Sequence, residues 1–196
     1  MRVLHRVVLA LGSLALVALA VQPARAAEGG DIVGGYSYIY DHSSDPSTSF
    51  PAGWFVSAST NLSDAFAVVA DISGSYKSES ATVGTVTASA STNVHTFMAG
   101  PRVMARSGSI GFYGQFLVGA ARVSGGVTTN VLGTPISVSA SDTELCFAPG
   151  AGLDFDLSSK AGVRVGISER LIRATGSTGK EFQLQLGFLY RFGSGR

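Results

Sequence analysis

The chain has 196 residues, of which 14 % are charged, 25 are glycine and one, Cys146, is cysteine. Soluble domains carry about 25 % charged residues, so this composition is too poor in charge for an ordinary water-soluble surface. A lone cysteine excludes an intrachain disulfide and argues against a cysteine-built metal site, and a formal net charge of +1 excludes the broad positive field of a nucleic-acid binder.

The first segment sets the compartment. Arg2, His5 and Arg6 form a basic head, Val7 to Val21 run for 15 residues without a charge, and Ala24-Arg25-Ala26 places small residues where a signal peptidase reads. This is the layout of a cleaved export signal, and its apolar run is shorter than the ~20 residues of a spanning helix. The expected cut follows Ala26, giving a signal peptide over 1–26 and one mature domain of 170 residues over 27–196. Losing Arg2, Arg6 and Arg25 leaves 11 basic residues against 13 acidic ones, a mature charge of about −2. No later apolar run suits a transmembrane helix, so a mature chain that crosses a membrane does so with strands.

Period-two alternation predicts eight strands, over 31–40, 52–60, 65–77, 94–106, 110–123, 142–157, 161–173 and 181–192. In the third, Phe66, Val68, Ala70, Ile72 and Tyr76 share one face, and Ala67, Asp71, Ser73, Ser75 and Lys77 the other. The last is the clearest, with Phe182, Leu184, Leu186, Phe188, Tyr190 and Phe192 opposite Gln183, Gln185, Gly187, Leu189 and Arg191. The segments reach the ~9–11 residues with which a tilted strand crosses a bilayer.

The connections alternate in length. Residues 61–64, 107–109 and 158–160 read as tight polar turns, whereas 41–51, 78–93, 124–141 and 174–180 are longer. Bacterial membrane barrels have short periplasmic turns and longer outer loops. Aromatic residues fall at two levels: Phe66, Phe112, Phe155, Tyr190 and Phe192 near the short turns, and Tyr38, Tyr40, Trp54, Tyr76, Phe97, Phe147 and Phe182 near the long loops. Two such belts mark the two membrane interfaces. The polar face, mostly Gly, Ala, Ser and Gln, is a poor solvated surface and a good filling for the narrow lumen of an eight-stranded barrel. The expected fold is all-β: a closed antiparallel eight-stranded transmembrane barrel, plugged and without an open pore.

Three stretches carry a family likeness: Phe97-Met98-Ala99-Gly100-Pro101-Arg102 followed by Phe112-Tyr113-Gly114-Gln115-Phe116-Leu117-Val118-Gly119-Ala120-Ala121-Arg122, then Pro149-Gly150-Ala151-Gly152-Leu153-Asp154, and then Arg164-Val165-Gly166. Over essentially the whole mature chain the sequence resembles the outer-membrane β-barrel domain family, the OmpA/OmpX-like small barrels. The resemblance implies the bacterial outer membrane, its lipids and the barrel-assembly machinery as surroundings. In Gln185-Leu186-Gly187-Phe188-Leu189-Tyr190-Arg191-Phe192, the residues Gln185, Gly187, Tyr190 and Phe192 look like the assembly signal read by that machinery. Gly193-Ser194-Gly195-Arg196 extend beyond its terminal aromatic.

The alternation points Asp71, Arg102, Asp154 and Arg164 inward. Counted upward from the short turns, Asp71 meets Arg102 and Asp154 meets Arg164. An unpaired charge there is costly, so pairing is expected, and Arg106, Gln115, Gln185 and Arg191 complete a structural lumen network. No cofactor or metal site is expected. A lipid-modifying enzyme needs a base beside a nucleophile. His42 and Ser44 have the two-residue spacing of outer-membrane lipid A deacylases but sit at the start of a loop, and His95 lacks the serine. Both histidines read as surface or interface residues, and Cys146 as a small packing residue.

Residues 78–93 and 124–141 are rich in β-branched residues. They read as hairpins prolonging the barrel or as irregular loops, and β-propensity leaves both open. Raised hairpins would offer edges to a surface or host protein. The expected role is non-catalytic: a monomer serving envelope structure, surface interaction or adhesion. The alternatives are a lipid-modifying enzyme, a narrow channel and a soluble periplasmic lipocalin-like binder.

Overall fold

The computed structural model describes residues 29–43, 47–83, 86–131, 134–174 and 177–193. The expected signal peptide, Ser44 and the tail 194–196 lie outside these residues.

The strands are β1 (Gly30–Asp41), β2 (Thr48–Phe50), β3 (Ala52–Asn61), β4 (Phe66–Val83), β5 (Val86–Ser107), β6 (Ile110–Val131), β7 (Thr134–Asp156), β8 (Ala161–Ala174) and β9 (Ser177–Phe192). Pairing is antiparallel from β1 through β3 to β9, and β9 returns to β1 from Gly30↔Phe192 to Asp41↔Glu181. Among the described residues, eight of these strands close a ring, and closure removes the edges that an open sheet would present.

The short β2 continues β3 beyond a break. Tyr36 faces Trp54 and Ile39 faces Phe50, so three residues on one side match two on the other. This is a bulge at Pro51, whose nitrogen cannot donate to a ladder. It switches the side-chain parity, so that Phe50 turns into the lumen beside Ile39 and Val94.

Burial follows the alternation. In β9, Phe182, Leu184, Leu186, Phe188 and Tyr190 are exposed, while Glu181, Gln183, Gln185 and Leu189 are buried. Phe188 is 78 % exposed and belongs to an apolar outer band that includes Ile32, Val56, Ile72, Val103 and Ile167. The lumen instead buries Ser37, Ser57, Ser73, Thr96 and three arginines. This inversion is the opposite of a lipocalin-type barrel, with its apolar interior and charged exterior. The aromatics at both levels stand on the outer face, which is where interfacial anchors of a membrane barrel stand.

The long connections differ most from expectation. Residues 78–83, 86–93, 124–131 and 134–141 are strand, so β4 to β7 run for 18 to 23 residues. Pairing persists to Val83↔Val86 and Val131↔Thr134, and the two hairpins pair with each other up to Thr87↔Asn130. Cross-strand hydroxyl pairs line these ladders: Ser80 with Ser89 at 3.0 Å, Thr82 with Thr87 at 3.1 Å and Thr128 with Ser137 at 3.0 Å. Such pairs stabilise antiparallel strands, and here they carry the sheet past the point where β3 and β8 stop.

Candidate functional site

Two regions gather the chemistry: the lower lumen near the short turns, and the sheet raised above the barrel.

In the lower lumen Arg164 is held from two sides. Its Nε and Nη2 donate to the Asp154 carboxylate at 2.6 and 2.8 Å, and its Nη1 and Nη2 donate to Asp31 at 3.1 and 3.2 Å. Arg102 lies 3.6 Å from Asp31 and donates twice to the Gln115 side-chain oxygen, at 3.1 and 2.8 Å. Arg191 reaches Asp156 at 2.7 Å and Asp154 at 3.7 Å, and Arg106 donates to Asp156 at 3.1 Å. Both the Arg102 and Arg164 guanidinium carbons lie over the Tyr113 ring, 4.6 and 4.8 Å from its centroid, within cation–π range. A Cβ at Gly152 would come within 2.5 Å of the Tyr113 hydroxyl oxygen, and one at Gly166 would come closer still. Glycine at both positions therefore admits the ring.

Higher up, Arg170 lies 3.5 Å from Glu181 and donates to Thr96 at 3.0 Å and Ser73 at 3.4 Å, while Ser73 and Thr96 bond each other at 2.7 Å. Gln183 donates to Ser37 at 2.8 Å and accepts from Ser168 at 3.1 Å. Asp71 faces Arg170, Gln185 and Arg102. Five lumenal arginines (102, 106, 164, 170 and 191) thus stand against five acids (Asp31, Asp71, Asp154, Asp156 and Glu181). Arg102, Arg164 and Arg170 are the largest fully buried side chains among the described residues. The nearness of opposite charges is what lets so many of them leave water.

Of the expected lumen set, Asp154 and Arg164 meet, and Arg106, Gln115, Gln185 and Arg191 all join the network. Asp71 and Arg102, expected to pair, attract each other but make no direct ion pair. Arg102 lies opposite Ala67 and Asp71 opposite Met98, because barrel closure staggers neighbouring strands and equal counts from different turns are unequal heights. Sequence reasoning missed Asp31, Tyr113, Asp156, Arg170 and Glu181. For Tyr113, Asp156, Arg170 and Glu181 the available signal was parity with Gln115, Asp154, Arg164 and Gln185 on the same strands.

Among the described residues, the remaining candidates are engaged separately. His42 Nε2 lies 3.1 Å from Glu169, and His95 Nε2 lies 3.2 Å from the Tyr76 hydroxyl, which also accepts from Trp54 at 3.1 Å. Cys146 is buried with Met98, Leu117 and Ile172. Among the described residues, no three His, Cys, Asp or Glu side chains gather as a metal site. Gln185 and Gly187 point into the lumen and Tyr190 and Phe192 point outward, all on the strand that closes the ring against β1.

The raised sheet has two unlike faces. Across β4 to β7 the lumen-side rows read Glu79, Ala90, Val127, Val138 and then Ala81, Ala88, Thr129, Ile136. The outer rows read Ser78, Ser91, Gly126, Ser139 and then Ser80, Ser89, Thr128, Ser137. Val127, Ile136 and Val138 are more than half exposed. Above Tyr76, β4 has no β3 partner, and beyond Leu145, β7 has no β8 partner, so both edges are open among the described residues.

A closed sheet with an apolar outside, interfacial aromatics and a charge-filled inside defines a transmembrane β-barrel. The chain belongs to the outer membrane protein beta-barrel domain family, whose model matches residues 9–192, and it is an outer-membrane protein. Its fold is similar to that of Ail, the attachment invasion locus protein of Yersinia pestis, at 18 % identity and TM-score 0.58, over 84 % of this chain and 99 % of that one. Ail has also been solved with the heparin analogue sucrose octasulfate. Neisserial surface protein A is similar at 12 % identity and TM-score 0.57, over 85 % and 99 % of the two chains. The outer membrane protease OmpT of Escherichia coli is similar at 8 % identity and TM-score 0.51, over 84 % and 96 %. The fold thus hosts a protease as well, and by itself it does not decide catalysis. No curated protein sequence matches the chain.

Proposed function

We propose that this outer-membrane barrel is a non-catalytic surface-interaction protein that acts in adhesion through the raised β4–β7 sheet. The observation that carries this reading is the sheet itself: two open edges and an apolar lumen-side face that leave backbone groups and Val127, Ile136 and Val138 available to another chain. An extended segment of a surface or host protein adds as a strand to such an edge, with backbone hydrogen bonds giving affinity. The filled lumen supports a monomeric plug without conductance, and the engagement of His42 by Glu169 and of His95 by Tyr76 supports a non-catalytic role for both. On this reading the chain is exported, cut after Ala26, recognised by the assembly machinery through Gln185, Gly187, Tyr190 and Phe192, and inserted with the short turns in the periplasm. Amino-terminal sequencing of the membrane-embedded protein is expected to begin at Ala27.

The test expresses the full precursor in a non-adherent Gram-negative host. Adherence to cultured cells and to immobilised matrix proteins is compared with a variant whose two hairpins are cut back to Ser78 and Ser91 and to Ser124 and Ser141. Wild-type adherence above the empty-vector control, lost in the shortened variant, supports the reading. Equal adherence of the two sinks it.

A further inference from the structure

The two edges of the raised sheet are unlike. On β4 the residues above Tyr76 have no β3 partner, and the two charged side chains there, Lys77 and Glu79, bond each other at 2.8 Å. On β7 the last pair with β8 is Leu145↔Arg173, and residues 136–144 stand above it with β6 on one side and an open edge on the other. Alternation sets Ile136, Val138, Ala140, Asp142 and Glu144 on the lumen side, with Ser137, Ser139, Ser141 and Thr143 on the outer side. Asp142 and Glu144 lie opposite Val123 and Ala121 of β6, at the apolar top of the lumen.

Neither acid has a cation. Among the described residues no ion pair joins Asp142 or Glu144 to a basic side chain. Asp142 accepts from the backbone N–H of Thr143 at 2.7 Å, a contact that leaves its charge uncompensated. Arg122 and Arg173 stand close in register, opposite Thr143 and Leu145, but both belong to the outer face, where Arg173 lies 5.8 Å from the centroid of the Phe147 ring. Inward-pointing charges on an edge strand turn away further strands, and like charges set opposite each other destabilise a pair, whereas opposite charges stabilise it. Docking the β7 edges of two copies would crowd carboxylates together, so the edge selects against a second copy and for a strand of the other sign.

We propose that the β7 edge takes a basic extended peptide segment as an added antiparallel strand, with two cationic side chains on Asp142 and Glu144 and apolar ones beside Ala140, Val138 and Ile136. This inference rests on the reading of the raised sheet as an interaction surface, and it names the edge, the register and the charge of the partner. Polarity follows from the strand: β7 descends toward the membrane, so the added segment rises, cations first and alternate apolar residues after them. Its outer face meets Ser137, Ser139, Ser141 and Thr143, where hydroxyl side chains repeat the Thr128–Ser137 pairing already present in the sheet. Backbone hydrogen bonds supply affinity and the alternate side chains supply specificity. The β4 edge offers no such selection, because Lys77 and Glu79 neutralise each other.

The test uses the mature full-length protein, stripped of lipid in an uncharged detergent, and the capped, fluorophore-labelled nonapeptide Lys-Thr-Lys-Thr-Val-Thr-Val-Thr-Val. Binding is followed by anisotropy. The nonapeptide is expected to bind about tenfold more tightly than its counterpart with Glu in place of both Lys. Asp142→Lys combined with Glu144→Lys is expected to reverse that preference. Glu79→Gln removes a charge from the other edge, three strand spacings or about 14 Å from Val138 and beyond the Debye length of about 8 Å. It is expected to change binding less than about twofold. N-methylation of alternate peptide amides is expected to abolish binding in one phase and spare it in the other, because successive amides of an added strand point toward and away from its neighbour. Retained heat-modifiable gel mobility certifies that each variant is folded. Absence of binding by the lysine peptide, an unchanged preference in the doubly reversed variant, or equal effects of the two methylation phases overturns the proposal. Adherence lost with the hairpins but no binding of the lysine peptide keeps the surface-interaction reading and removes the basic strand. Charge-dependent peptide binding with adherence unchanged does the reverse.

Discussion

The lower lumen and the raised sheet are built from the same strands and are held by opposite means. In the lumen the decisive contacts join residues far apart in sequence: Asp31 meets Arg164 across 133 positions, and Gln183 meets Ser37 across 146. In the raised sheet the side-chain contacts are local, with Ser80 to Ser89, Thr82 to Thr87 and Thr128 to Ser137 separated by no more than nine positions. The first region is closed and filled with opposed charges. The second is open at both edges and polar on one face only. Rigidity is thus concentrated where the chain crosses the membrane, and adaptable surface where it leaves it, consistent with stability that differs between parts of one structure.

Breaking the lumen network should have the largest effect. Arg164→Leu leaves Asp31 and Asp154 buried without their shared partner, and the expected destabilisation is about 3–5 kcal/mol, read as a lowered urea midpoint of the detergent-folded barrel. Phe188→Arg places a charge on the lipid face between the two aromatic belts. The expected loss is about 2–4 kcal/mol, visible in unfolding from lipid vesicles. A matching substitution at exposed Val138 on the raised sheet, Val138→Arg, should change stability by no more than about 0.5 kcal/mol. Gly166→Ala drives a Cβ against the Tyr113 hydroxyl and should cost about 1–3 kcal/mol, relieved when combined with Tyr113→Phe. Cutting back both hairpins should leave the urea midpoint unchanged within error and remove adherence. A large fall in midpoint would show that the raised sheet supports the barrel and would erase the contrast between the two regions.

The Tyr76–Trp54–His95 cluster marks the boundary between them. Trp54 and His95 bind the same phenol from two neighbouring strands. The Tyr36 hydroxyl donates to the Pro51 carbonyl beside the bulge. These contacts tie side chains of the upper belt together where β3 breaks and β4 continues alone.

Much of this was legible from alternation. Period two alone separated Phe182, Leu184, Leu186 and Phe188 from Gln183 and Gln185, placed the two aromatic levels, and aimed Asp154 and Arg164 into one lumen. Inversion of polarity, apolar outside and polar inside, needed only side-chain identity and parity. Heights were not legible. Asp71 and Arg102 stand equally far from their turns, yet the stagger of the closed sheet sets them four residues apart in register and hands Arg102 to Asp31. The extent of β4 to β7 was not legible either, because Ser- and Thr-rich segments become strand only when another strand lies beside them.

The sequence by itself determined that the chain forms alternating strands, which face of each is apolar, and that a membrane is the environment suited to those faces. These are local properties, written into successive residues. Tertiary structure alone decided which charge meets which, that Tyr113 lies against two guanidinium groups, and that the long connections rise as one paired sheet. Each of these depends on the register and stagger fixed when β9 closes on β1, a condition on the whole ring that no single segment contains.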